Sequence, residues 1–191
     1  MKYLYISGPD GSGKTTFINL IAEHLKSKGI STTHVWIRSP KIISKPLMLV
    51  CRLIGLTKYK YINGIRYGSH EFYRSRFISW LFPIIQLIDF KIKWFFIRRT
   101  IKEKNVILFD RFSIDTLADL MADTKNFGLH KTKIGKSFIS MIPSETKVLV
   151  FNTDENIIRK RKKDTLFDPQ LSDKIMAFTK ITNDLKLIKI D

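Results

Sequence analysis

The stretch Gly8-Pro9-Asp10-Gly11-Ser12-Gly13-Lys14-Thr15 decides the reading of this chain. Its spacing is G-x-x-x-x-G-K-[ST]. The glycines permit unusual φ angles and let backbone N–H groups approach an anion with no Cβ in the way. On one side lies a short β-rich run, residues 2–7 (KYLYIS). On the other, Phe17, Ile18, Ile21, Ala22 and Leu25 recur at helical spacing over residues 15–28, with Gly29 as a stop. A strand, a glycine loop and a helix whose positive end faces the loop form an anion cradle. Gly8, Asp10, Gly11, Ser12, Gly13, Lys14, Thr15 and Thr16 are therefore expected to hold a nucleoside triphosphate. Lys14 would reach the β- and γ-phosphates, and the Thr15 hydroxyl would ligate Mg²⁺.

Moving outward, Val106–Phe109 is an apolar run that ends in Asp110, the signature of a buried strand carrying an acid at its tip. Asp110 is the second candidate metal ligand. Arg111 follows at once and could clamp a transferring phosphoryl group or an acceptor phosphate. Further strands are read at 32–37 (TTHVWI), 147–151 (KVLVF) and 186–190 (KLIKI), the last alternating like an edge strand. Helices are read at 47–54, from about 70 to 103 with a break near Pro83, and at 112–123, 155–163 and 170–184. Residues 57–69, with two glycines and three tyrosines, read as irregular. Strands alternating with helices predict an α/β fold, a parallel sheet covered on both faces.

The chain has 191 residues, which suits a single domain over 1–191. Hydrophobic residues make up 44% and aromatics 12%, which excludes a disordered or fibrous chain. Lys and Arg number 34 against 17 Asp and Glu, giving +17, so an anionic partner is expected. The basic residues are spread along the chain and no nucleic-acid motif is visible, so nucleic acid is not the expected partner. The single cysteine, Cys51, excludes an intramolecular disulfide and reads as a core residue. The four histidines lack metal-ligand spacing. Residues 2–6 are too short for a signal segment, and the apolar stretch 77–90 falls short of the ~20 residues that span a bilayer. A cytoplasmic protein without a membrane partner is expected.

Arg159-Lys160-Arg161-Lys162-Lys163 is the one dense charge block. Five adjacent cations repel one another unless an anion neutralises them, so a small mobile lid near 159–168 is one reading and a solvated basic face the other. With this block, the loop GPDGSGKTT (8–16), the fragment Arg38-Ser39-Pro40 and the triplet Asp110-Arg111-Phe112, the chain resembles the thymidylate kinase family. The resemblance implies a phosphate-loop fold with a five-stranded parallel sheet. It implies transfer of the ATP γ-phosphoryl to dTMP, with Mg²⁺. It implies that Asp10 accepts a hydrogen bond from the deoxyribose 3′-OH, that Arg38 belongs to the acceptor site and that Arg111 contacts the acceptor's phosphate. Some family members carry a catalytic arginine in the phosphate loop and others in the lid. Gly11 follows Asp10 here and cannot supply charge, so Arg159 or Arg161 becomes the expected transition-state cation.

The chain departs from the family pattern in places. Ser39 stands where Glu is common, and Asp115 and Ala118-Asp119-Leu120 stand where Ser and Ala-Tyr-Gln are common. The base-reading helix has two possible placements. Phe72 and Arg76 have the four-residue spacing of an aromatic and an arginine. Gln86 and Asp89 fall on a polar stripe of an otherwise apolar helix, either as base-edge contacts or as its solvent face. Asp115 could orient Arg111, while Asp119 and Asp123 read as a solvated helix face. The apolar helix at 84–97 could pair two copies as a homodimer. A kinase of another small acceptor, and a nucleic-acid-associated NTPase, remain alternatives to dTMP as the acceptor.

Overall fold

The computed structural model describes residues 3–62, 64–101, 105–161 and 165–190. Five strands form one parallel sheet: β1 (Tyr3–Ser7), β2 (Thr32–Val35), β5 (Val106–Asp110), β6 (Thr146–Phe151) and β7 (Ile188–Ile190). Their spatial order is β2-β5-β1-β6-β7. The central strand β1 pairs with β5 through Tyr3↔Ile107 and with β6 through Tyr3↔Thr146. Both neighbours of β1 come from later in the chain, so the connections diverge around its C-terminal end. That divergence opens a crevice at the carboxyl ends of the strands, where α/β sheets bind ligands.

The strands alternate between two buried faces, which is why their sequences read as continuous apolar runs. Leu4, Ile6 and Leu108 face helix α1 (Lys14–Ser27) and pack with Ile18. Tyr5, Ile107 and Phe109 face the opposite way into the larger core. That core is completed by α2 (Ser44–Leu53), α3 (Arg76–Thr100), α4 (Ser113–Thr124), α5 (Lys133–Ile139) and α7 (Leu171–Asp184). Cys51 is buried there, as its sequence setting predicts. Helix α6 (Glu155–Arg161) carries the start of the basic block, whereas Lys162 and Lys163 lie outside the described residues.

Three parts differ from the sequence reading. Residues 57–69 are not irregular: β3 (Thr57–Ile62) and β4 (Ile65–His70) form an antiparallel hairpin. Asn63-Gly64 between them is the dipeptide that favours a two-residue hairpin loop, and Gly64 has φ 76°. Pro83 does not break α3, which runs unbroken through it. Proline removes one helical hydrogen bond, but Phe82, Pro83, Gln86 and Phe90 are all buried, and this packing holds the helix together. Helix α5 was not foreseen, because its seven residues include Gly135 and two lysines. Thr132 caps it by accepting from the Gly135 N–H, and that glycine packs against the Leu129–His130 backbone with no room for a Cβ.

Candidate active site

The glycine loop closes the crevice between β1 and α1. Gly8 has φ 137°, and a Cβ there would lie 2.8 Å from the Phe151 carbonyl oxygen of β6. Only glycine lets the loop leave β1 that close to its neighbour. Gly11 and Gly13 also have positive φ, 83° and 95°. Lys14 folds back over the loop, and its Nζ donates to the Pro9 carbonyl and to Ser12 Oγ. Burial and the nearby Arg111 push its ammonium down to about 8. Both acceptors are neutral oxygens, weaker partners for an ammonium than charged oxygens would be. Thr15 and Thr16 are exposed in the first turn of α1.

Asp10 links the loop to the rest of the crevice. Its Oδ2 accepts from Arg38 Nη1 at 2.7 Å, and its Oδ1 accepts from Arg111 Nη2. Burial would raise this carboxyl, but the two guanidinium groups outweigh it and hold Asp10 well below the usual carboxylate range. Arg38 also forks onto Asp119 of α4, donating at 2.8 and 3.0 Å. A chain of four charges therefore runs Arg111–Asp10–Arg38–Asp119. Arg111 is held in the left-handed region, φ 65°, by backbone hydrogen bonds to Ile6 and Ile37. Such conformations persist only where surroundings enforce them, and here they aim the side chain at the loop.

Beyond Arg38 opens a cleft of about 280 Å³, lined among others by Arg38, Gln86, Asp119, Asp123, Gln170 and Lys174. The expectation that Asp119 and Asp123 form a solvated face is overturned. Asp119 is engaged by Arg38, and Asp123 is buried. Their i, i+4 spacing after Asp115 was the available signal, but nothing in the sequence showed that this stripe of α4 faces inward. Gln170 and Lys174 of the α7 region were not foreseen at all. Gln86 does line the cleft, fixed by donation from its Nε2 to the Pro40 carbonyl at 2.7 Å.

Other expected acceptor residues lie elsewhere. Phe72 is fully buried, stacked on His70 and tilted against Phe82, and is a core residue. Arg76 sits at the start of α3 beside a different depression, with Tyr73 and Trp80. Asp89 accepts from the backbone N–H groups of Ile42, Ile43 and Ser44 at 3.0, 2.7 and 3.0 Å, so it caps α2 from a distance instead of reading a base. Asp115 is buried under the site and accepts from Tyr5 Oη, Ser7 Oγ and the Phe112 N–H. Its other oxygen lies 3.7 Å from Arg111 Nη1, which suits an orienting contact but not a ligand contact.

The basic block divides as well. Arg159 pairs with Glu155 and donates to the carbonyls of Thr165, Leu166 and Asp168. It holds the 165–168 turn and is not available as a transition-state cation in this arrangement. Arg161, the last residue of α6, is exposed.

Asp110 ends β5 beside Arg111. One of its carboxylate oxygens is buried without a hydrogen-bond partner, and burial raises the carboxyl above its ordinary value. An orphaned buried acceptor fits a cation. Among the described residues no group of three or more His, Cys, Asp or Glu could enclose a metal. The arrangement suits Mg²⁺, which is typically held by one or two carboxylates together with phosphate oxygens.

These elements define the phosphate-loop α/β fold, a five-stranded parallel sheet with the loop after its central strand and helices on both faces. A solved thymidylate kinase from Ehrlichia chaffeensis has the same fold: it superposes with a TM-score of 0.50 over 98% of this chain and 90% of its own, at 15% identity. No family model matches the chain, and no curated protein sequence matches it. No helix among the described residues is long and apolar enough to cross a membrane.

Proposed function

We propose that this protein is an ATP-dependent nucleoside monophosphate kinase that phosphorylates dTMP to dTDP. The observation that carries the proposal is the charge chain Arg111–Asp10–Arg38, which joins the phosphate loop to the neighbouring cleft. A donor site and an acceptor site that share one set of side chains suit in-line transfer between two bound phosphates.

In this reading the loop N–H groups and the α1 N-terminus hold the ATP phosphates. Lys14 exchanges its loop oxygens for the β- and γ-phosphates. Mg²⁺, held by Thr15 and Asp110, would neutralise charge on the β- and γ-oxygens. Arg38 and Arg111 grip the acceptor's phosphate, and Asp10 keeps the two guanidiniums apart and aligned. Entry of the acceptor would free part of Asp10 for a sugar hydroxyl. Arg161, exposed at the end of α6, is the lid cation that would reach the transferring group, within a lid spanning about 159–168. Exposed Ile88, Phe95 and Phe96 of α3 offer a face on which two copies could pair.

A second reading, a kinase of another small phosphorylated acceptor, is favoured by the absence of Phe72 and Arg76 from the cleft, whose lining mixes Met48, Phe82 and Leu120 with charged and amide side chains. One assay separates the two: ADP release from MgATP against a panel of nucleoside monophosphates, with single-stranded DNA and no acceptor as controls. ADP release that requires dTMP supports the first reading. Release without any acceptor, or release driven by DNA, would refute both.

A further inference from the structure

Helix α2 carries a repeating stripe on each of two opposite sides. Ser44, Leu47, Met48 and Cys51 stand at i, i+3, i+4 and i+7 and turn inward. Ser44 and Cys51 are buried, and Leu47 and Met48 pack against the core. Pro46, Leu49, Val50 and Leu53 repeat the same spacing on the other side, and all four are exposed. Leu49 is 58% exposed, Val50 47% and Leu53 77%. Ile42, Ile43 and Ile54, just outside the helix, are exposed as well. A helix apolar on both sides is normally covered on both. A lone chain in water gains nothing from the outer stripe.

Cations border this stripe. Lys45 and Arg52 are seven residues apart, about two helical turns, so both lie along one edge of it. The Arg52 guanidinium sits 5.2 Å over the ring of Tyr59 in β3, which ties the helix to the β3–β4 hairpin. Tyr61, two residues on, shares the strand face of Tyr59 and is exposed. No Asp or Glu occurs from residue 24 to residue 70, a span that holds nine Lys and Arg. Asp89, which reaches the start of α2, is buried on the N–H groups of Ile42, Ile43 and Ser44. Glu71, beside the hairpin, pairs with Lys58 and Arg74.

We propose that the outer face of α2, with the hairpin beside it, docks on the surface of an anionic bilayer. The aliphatic stripe enters the boundary between headgroups and acyl chains, and Lys45 and Arg52 stay among the lipid phosphates. Tyr61 suits the same depth, since its ring is apolar and its hydroxyl polar. Such a helix lies in the interface and does not span it, so it differs from the spanning segment that the sequence reading excluded. Two other occupants fit less well. A second copy docking through this face would bring the same cations together, because a two-fold interface joins identical patches. A nucleic acid stacks its bases on aromatic rings, whereas the exposed stripe of α2 is aliphatic. The face does not include the glycine loop, so the proposal stands apart from the kinase reading.

The test is co-sedimentation of the full chain with vesicles of phosphatidylcholine alone, or of phosphatidylcholine with phosphatidylserine. Three double variants accompany wild type, each checked by its melting curve. Leu49→Gln/Leu53→Gln removes the stripe, and Lys45→Gln/Arg52→Gln removes its cations. Lys26→Gln/Lys28→Gln removes the same charge from the end of α1, which packs on the opposite face of the sheet. Wild type should bind the anionic vesicles and not the neutral ones, and more weakly as salt rises. Each pair of changes on the docking face should weaken binding ~tenfold or more, and the α1 pair far less. No binding to anionic vesicles, equal losses in all three variants, or undiminished binding in Leu49→Gln/Leu53→Gln overturns the proposal. Sedimentation velocity and titration with a labelled oligonucleotide use the same proteins. A wild-type dimer that Leu49→Gln/Leu53→Gln dissociates would assign the face to a second copy instead. Oligonucleotide binding that Lys45→Gln/Arg52→Gln abolishes, without vesicle binding, would assign it to a nucleic acid. Either result overturns the proposal.

Discussion

Replacing Arg38 by methionine tests the charge chain without any assumption about catalysis. Arg38 makes three hydrogen bonds of 2.7–3.0 Å to Asp10 and Asp119. Methionine keeps much of the stem's packing and removes all three. Asp10 retains Arg111, but Asp119 loses both short contacts and keeps only donation from Ser39 Oγ to its Oδ2 at 3.5 Å. Breaking a buried ion pair from one side costs about 3–5 kcal/mol. Here the Arg38 side chain is 23% exposed and that of Asp119 16%, so water can partly replace the lost contacts. That discount gives about 2–3 kcal/mol. For a chain of this size each kcal/mol moves Tm by about 2–4 °C, so the expected loss is about 4–12 °C. Thermal melts at pH 7 measure it. The double variant Arg38→Met/Asp119→Asn, which no longer strands a charge, should recover a large part of the loss. A single variant that melts within about 1 °C of wild type, or a double variant no better than the single, would refute the reasoning.

Lys14→Ala should lower kcat by ~10²–10³ and leave the melting curve intact, and a variant retaining more than about a tenth of wild-type kcat would contradict its role. Gly8→Ala should fold poorly, because its Cβ would meet the Phe151 carbonyl at 2.8 Å in a conformation that L-residues rarely adopt; circular dichroism and solubility read this out. Arg161→Ala should reduce kcat with an unchanged Tm, whereas Arg159→Ala should lower Tm by releasing the 165–168 turn, and equal effects on both quantities would count against this division of labour. The raised Asp123 carboxyl means that the folded state binds more protons than the unfolded chain between the ordinary carboxylate range and about pH 8. Its contribution to stability is thus lost as pH rises through that window. Asp123→Asn should therefore gain Tm relative to wild type between pH 5 and pH 8, and a difference that stays constant over that range would contradict the buried, protonated state.

The fold was legible because its signals are local. The glycine loop, the apolar run ending at Asp110 and the alternation at 186–190 each depend on neighbours within a few residues, and all three fall where they were expected. The hairpin β3–β4 was readable too, since Asn63-Gly64 marks its loop, but its lysines and tyrosines obscured the alternation. Of the candidate site, only the grouping around the glycine loop was legible. Asp10, Arg38 and Arg111 come together as their motifs suggest. The cleft depends on which stripe of α4 turns inward and on how residues 170–174 fold back against it. These are tertiary facts that no spacing encodes. Asp89 shows the converse: a polar residue on an apolar helix did have partners, but they were the backbone N–H groups of another helix.

The central claim is that the crevice moves a phosphoryl group from ATP to a nucleotide. The most direct measurement follows γ-labelled ATP, with Mg²⁺ and dTMP, and separates the nucleotide products. The account predicts label in dTDP, formed only when all three are present and lost in Lys14→Ala. Label that appears only as inorganic phosphate, or that reaches no member of a nucleoside monophosphate panel, would contradict it.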